Sequence, residues 1–169
     1  MLILATQRHN AVLHILARWI KNIGGFAPTV EPSKIGPDRK KRTRADLDAI
    51  IAGLRFISDV SIVNPLAASH LSSAQSMMEA AEKRAKSKAE KFADLNQFGK
   101  FFPMVVETTG GMHKDFAVAI KEIIRASMRS GLWAPRDVVH GIRASVAVAV
   151  QRGNASMVAT GLHVARRIA

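Results

Sequence analysis

Cysteine is absent from this 169-residue chain. Neither a disulfide nor a Cys-ligated zinc is therefore open to it. Tyrosine is absent too, and only two tryptophans occur. No stretch approaches the roughly 20 consecutive apolar residues that a membrane-spanning helix needs. Acids are scarce, 13 Asp and Glu against 25 Lys and Arg, for a formal net charge of +12 and a pI of about 10.9. Such an imbalance points to a polyanionic partner, DNA or RNA before an anionic membrane surface. Missing cysteine fits an intracellular protein, with nucleus and mitochondrion both open. What the chain does have is apolar substance: 48% of its residues are hydrophobic, enough for a proper core.

Periodicity divides the chain into alternating elements. Val12, Ile15, Leu16, Trp19 and Ile20 recur at helical spacing, so a helix is expected over residues 6–23, with Thr6 as N-cap and Gly24-Gly25 as its stop. Before Glu31 the chain carries Arg8, Arg18 and Lys21 and no acid. That composition suits either a first helix of the fold or an organellar targeting segment. Residues 26–32, 45–51, 55–63 and 101–107 read as strands, the middle two as a hairpin turning at Gly53. Residues 33–44 form a basic loop. Helices are expected from Ser72 or Ser73 to about Leu95, from Lys114 to Met128, and from Pro135 through Arg152, where Gly153-Asn154 should end the helix before a last short one to about Arg167. No internal repeat is visible.

Two aspartates stand out. Asp46 and Asp59 each lie in a short apolar stretch that reads as a strand, inside a strongly basic chain. A pair of carboxylates on adjacent strands is what a divalent cation needs, and a metal facing a basic groove suits phosphodiester chemistry. The alternative is that both are strand-end residues facing solvent or pairing with Arg44 and Arg55. Asp48, two residues from Asp46 and on the same strand face, reads as a turn-end residue or a further ligand. Lys83, Arg84, Lys86 and Lys88 alternate with Glu79, Glu82 and Glu90 at i to i+4 spacing, the pattern of a solvated helix face. His9 and His14 read as structural.

The order helix, strand, strand, strand, helix, strand resembles the core of the PD-(D/E)XK nucleases. More closely, the chain resembles the restriction-enzyme-like endonuclease domain of non-LTR retrotransposons and related reverse-transcriptase-linked proteins. The resemblance spans nearly the whole chain and rests on pieces in family order: Arg8-His9-Asn10, Glu31-Pro32, Arg44-Ala45-Asp46-Leu47, Asp59-Val60-Ser61-Ile62, Lys91-Phe92, Val105-Val106-Glu107-Thr108 and the late Gln151-Arg152-Gly153-Asn154. It implies an α/β fold with a nuclease-like core over residues 1–128 and a basic helical tail, residues 129–169, packed on or beside it. It also implies Asp46 and Asp59 as catalytic and metal-holding acids, Glu31 as a third carboxylate, Mg²⁺ as the metal, and Lys91 as the catalytic lysine. Ser61 stands where the motif's own lysine would fall, and Ala45 replaces the motif's proline.

After Arg125 the chain carries six arginines and a single acid, Asp137. With Arg39, Lys40, Lys41, Arg42 and Arg44 of the loop, Arg136, Arg143 and Arg152 are the expected nucleic-acid contacts, since arginine grips phosphate bidentately. Two functions follow. One is a Mg²⁺-dependent endonuclease domain of retroelement origin that nicks DNA. The other is a non-catalytic RNA-binding component of a ribonucleoprotein, such as a mitochondrial ribosome, with other proteins of that particle as further partners. No membrane partner is expected.

Overall fold

A computed structural model of the chain describes residues 2–24, 27–32, 35, 45–71, 78–131 and 133–168. It is an α/β protein with a four-stranded mixed sheet and, among the described residues, five α-helices. Helix α1 runs Leu2–Gly24, then β1 Thr29–Val30, β2 Leu47–Ile51, β3 Leu54–Val63, a single turn α2 Ala68–Leu71, α3 Glu79–Lys91, a 3₁₀ turn Ala93–Gln97, β4 Lys100–Glu107, α4 Lys114–Ser130 and α5 Pro135–Ile168. No described helix is long and apolar enough to cross a membrane.

The strands lie in chain order. β1 and β3 run antiparallel to β2, and β4 runs parallel to β3. The β2–β3 hairpin closes through Ala52 (φ 53°) and Gly53 (φ 83°). Positive φ at both central residues is what a two-residue turn needs to match the twist of its strands. Asp48 braces the hairpin by a bidentate pair with Arg55 at 3.0 and 2.7 Å, so Asp48 lies within a strand rather than at a turn end, and Arg55 pairs with Asp48 rather than with Asp46.

Side-chain alternation sorts the sheet into two faces. Leu47, Ala49, Ile51, Phe56, Val60, Phe102, Met104 and Val106 face α1, α4 and α5 and share one core with them. The other face carries Ile57, Phe101 and Val105, covered by the 3₁₀ turn and by Ala81 and Ala85 of α3. Asp59 and Ser61 fall on this α3 face because they alternate with Val60.

Three expectations are corrected. Thr6 lies inside α1, because the apolar residues before it extend the helix to Leu2. β1 is two residues long, not seven: Glu31 takes φ 47° and turns the chain away. Gly153-Asn154 does not end a helix: α5 runs unbroken through them, 34 residues from Pro135 to Ile168. Tertiary contact overrides the local stop signal there. Residue 153 must be glycine-sized, since a Cβ would stand 2.4 Å from Arg8 Cγ. Asn154 spends its amide on Thr108 O at 2.8 Å and its carbonyl on Arg8 Nη1 at 2.5 Å. The basic loop, residues 33–44, lies outside the described residues except for Ile35, which is buried.

Candidate functional site

Extending the β2–β3 register by one residue beyond Leu47↔Ser58 sets Asp46 opposite Asp59. Like charges directly opposite across a ladder repel, so the local structure has to answer that repulsion. Regular pairing stops at Asp46, whose carboxylate accepts the Val60 N–H at 2.6 Å. Asp59 is only 4% exposed and forms an ion pair with Lys88 Nζ at 2.7 Å, the lysine side chain itself being 13% exposed. Ser61 Oγ lies 3.4 Å from Asp59 Oδ2 and accepts from Arg84 Nε at 3.3 Å. From α1, His9 Nε2 stands 3.5 Å from Asp46 Oδ2. These groups, with Arg8, line one open cavity of about 270 Å³.

Two carboxylates and three permanent cations thus meet at one end of the sheet. The two carboxylates offer oxygen donors, with the His9 ring nitrogen beside Asp46; Mg²⁺ keeps several waters and takes one or two protein carboxylates. Asp46 and Asp59 fit that requirement. Glu31 does not join them: its side chain is exposed, and its link to Asp46 is a backbone bond, N–H to the Asp46 carbonyl at 2.8 Å. Among the described residues no group of three or more His, Asp and Glu side chains is disposed to hold a metal.

The expected lysine is displaced by one turn. Lys91 is exposed, its Nζ resting 4.9 Å from the Phe92 ring centroid. Lys88 occupies the site instead. The signal was in the sequence: Ala81, Ala85 and Phe92, all buried, form a stripe at i, i+4 and i+11, and Lys88 at i+7 is its polar member. A cation on the apolar stripe of a helix needs a buried anion, which Asp59 supplies. Arg8 and Arg84 are the other groups that charge patterning assigned to solvent or left without a role.

No family model matches the chain, and no curated protein matches it.

Burial first, and the Asp59 charge second, push the Asp46 carboxyl above the usual carboxylate range, against the pull of the Val60 N–H, His9 and Lys88. The folded chain therefore holds this proton more tightly than the unfolded chain. The associated stability is complete below the ordinary pKa of 3.8 and is lost as pH rises through the raised value. Above that raised value the full penalty stands. Asp46→Asn keeps an acceptor for Val60 and removes the charge. It should raise the melting temperature at pH 7 by on the order of 2–4 °C, the shift that about 1 kcal/mol produces in a chain of this size. That gain should vanish in melts run below the ordinary carboxylate pKa. A variant that melts below the parent at pH 7 would contradict the assignment.

The expected nucleic-acid contacts divide. Arg136, Arg143 and Arg152 are all exposed on α5. Arg136 and Arg143, seven apart, share a helix face, while Arg152 lies about half a turn round from Arg143 at 100° per residue. They do not form one stripe. Arg39, Lys40, Lys41, Arg42 and Arg44 lie outside the described residues. Glu107, at the end of β4, is buried, with Oε2 accepting from Thr109 Oγ1 at 3.3 Å and Oε1 unpartnered.

Proposed function

We propose that the protein is a nucleic-acid-binding phosphodiesterase of the PD-(D/E)XK type, related to the endonuclease domains of non-LTR retrotransposons, that nicks DNA with a divalent cation. One observation carries the reading: the β2–β3 hairpin brings Asp46, just before β2, and Asp59, on β3, into one cavity, with Lys88 2.7 Å from Asp59. The order of elements and the mixed sheet support it, as does a net charge of +12.

Asp46 and Asp59 would hold Mg²⁺. When bound, such an ion supplies an acidified water and stabilises charge on a scissile phosphate. The remaining work falls to this chain's own groups. Asp59 anchors the Lys88 ammonium, so positive charge is fixed in place before substrate arrives and needs no reorganisation. Arg84, bonded to Ser61, adds a second cation at the cavity rim. The exposed arginines of α5 attract the polyanion and make association steeply salt-dependent.

A second reading, a non-catalytic RNA-binding component of a ribonucleoprotein, draws on the same ion pair. A lysine that already neutralises Asp59 gives the buried acid a structural use without metal. Supercoiled plasmid decides between them. Incubated with Mg²⁺ or Mn²⁺, the protein should convert it to the nicked form, and Asp59→Ala should lose that conversion. Tight RNA binding with no nicking, unchanged in Asp59→Ala, would establish the second reading and reject the first.

A further inference from the structure

We propose that Arg8 takes a backbone phosphate of the bound nucleic acid beside the Asp46–Asp59 cavity, and that Gly153 and Asn154 of α5 hold its guanidinium there. This rests on the phosphodiesterase reading and adds a binding residue to it.

Arg8 sits where three hollows meet. It lines the cavity of the two aspartates, a groove of about 290 Å³ between α1 and α5, and an open hollow of about 480 Å³ bordered by Asn64, Thr108 and Asn154. Its guanidinium is only partly satisfied. Nη1 donates to Asn154 Oδ1, while Nε is buried without a hydrogen-bond partner. Among the described residues Arg8 forms no ion pair. Burial lowers its pKa with no anion to offset the effect. A buried N–H donor left without an acceptor is costly even on a half-buried side chain, and an anionic ligand reaching the guanidinium would offset that cost.

The α5 helix fixes the arginine in two ways. Gly153 leaves room for the stem, because a Cβ there would stand 2.4, 2.6 and 2.7 Å from Arg8 Cγ, Cδ and Cβ. Asn154 holds one corner of the fork and is itself anchored to the Thr108 carbonyl. A guanidinium has five N–H donors in a plane. Holding one corner leaves the others in a fixed plane, the geometry that matches two oxygens of a phosphate. Phosphate is favoured over a peptide carboxylate by the cations that share the cavity, Lys88 and Arg84, and by the charge of the whole chain.

The test measures binding of a fluorescein-labelled 30-base-pair DNA duplex by anisotropy without divalent metal, from 50 to 200 mM KCl. Each phosphate contact contributes about 0.9 to the slope of log K against log salt. Arg8→Met keeps the stem packed on Gly153 and removes the fork. It should bind about tenfold more weakly at the lowest salt, with a slope shallower by about one. Asn154→Asp gives Arg8 an internal counter-ion. It gives up the bond to the Thr108 carbonyl, which a carboxylate cannot donate, but the charge pair with Arg8 should keep the protein folded, lower the affinity and reduce the slope in the same way. Should Arg8→Met fail to fold, Asn154→Asp alone decides. Arg8 as a purely structural tie predicts altered melting temperatures with the parent slope in both variants, and that result would overturn the proposal. A parent protein with no salt-dependent binding at all would instead overturn the nucleic-acid reading beneath it.

Discussion

Replacing Lys88 with methionine should reduce metal-dependent nicking of supercoiled DNA by about 10²–10³-fold, the usual cost of removing one preorganised electrostatic group, while Lys91→Met nicks like the parent. The two lysines are three residues apart, and only the first reaches the acids. Lys88 lies on the stripe of Ala81, Ala85 and Phe92 and meets Asp59 at 2.7 Å. Lys91 points outward over Phe92. Stability has to be separated from chemistry. Removing Lys88 leaves Asp59 buried without its counter-ion, which costs about 3–5 kcal/mol. Adding Asp59→Asn to Lys88→Met should restore most of the melting temperature and none of the nicking. Full activity in Lys88→Met, or loss of activity in Lys91→Met, would remove Lys88 from the site.

Gly141→Leu should lower stability by about 1–3 kcal/mol, although leucine is the better helix former by roughly 0.8 kcal/mol. Two effects compete, and the contact wins. A Cβ at Gly141 would fall 2.2 Å from Trp19 Cζ2, in the seam where α1 meets α5. Trp19 cannot simply swing away, because its ring also packs edge-on against Trp133, 5.7 Å between centroids. Calorimetry should show a melting temperature several degrees lower, at about 2–4 °C per kcal/mol. Trp19→Ala should cost the parent more than it costs Gly141→Leu, because in the second background it also relieves the clash. Equal costs would mean that the two residues do not meet.

Much of this fold could be read from residue patterns. Alternating apolar residues around Gly53 give the hairpin, and the dense apolar run of β4 gives a strand covered on both sides. Pro135 marks the start of α5, and the spacing of Phe116, Ile120 and Ile123 marks α4. What escaped depends on contacts between distant segments. Gly153-Asn154 has the local chemistry of a helix end, and only Arg8, 145 residues earlier in the chain, turns it into a seat. Glu31 lies near Asp46 through the backbone, but its positive φ directs the side chain elsewhere. Asp46 and Asp59 were visible as a pair because strand register alone sets them opposite each other. Lys88 was hidden among the eight charges of one helix, separated from Lys91 only by the apolar stripe beneath it.

The seam between α1 and α5 also bears on how the chain folds. The apolar face of the first helix is covered by the last, about 120 residues later along the chain. At synthesis rates of 5–20 residues per second, that interval is roughly 6–24 s. For that time Trp19 and its neighbours lack their α5 partners, and the sheet lacks part of the layer that closes it. Closing so long a loop is entropically affordable, but sequence-distant contacts slow the search. The Trp19–Gly141 contact should therefore form late, and until then the nascent α1 face is an apolar surface open to a chaperone.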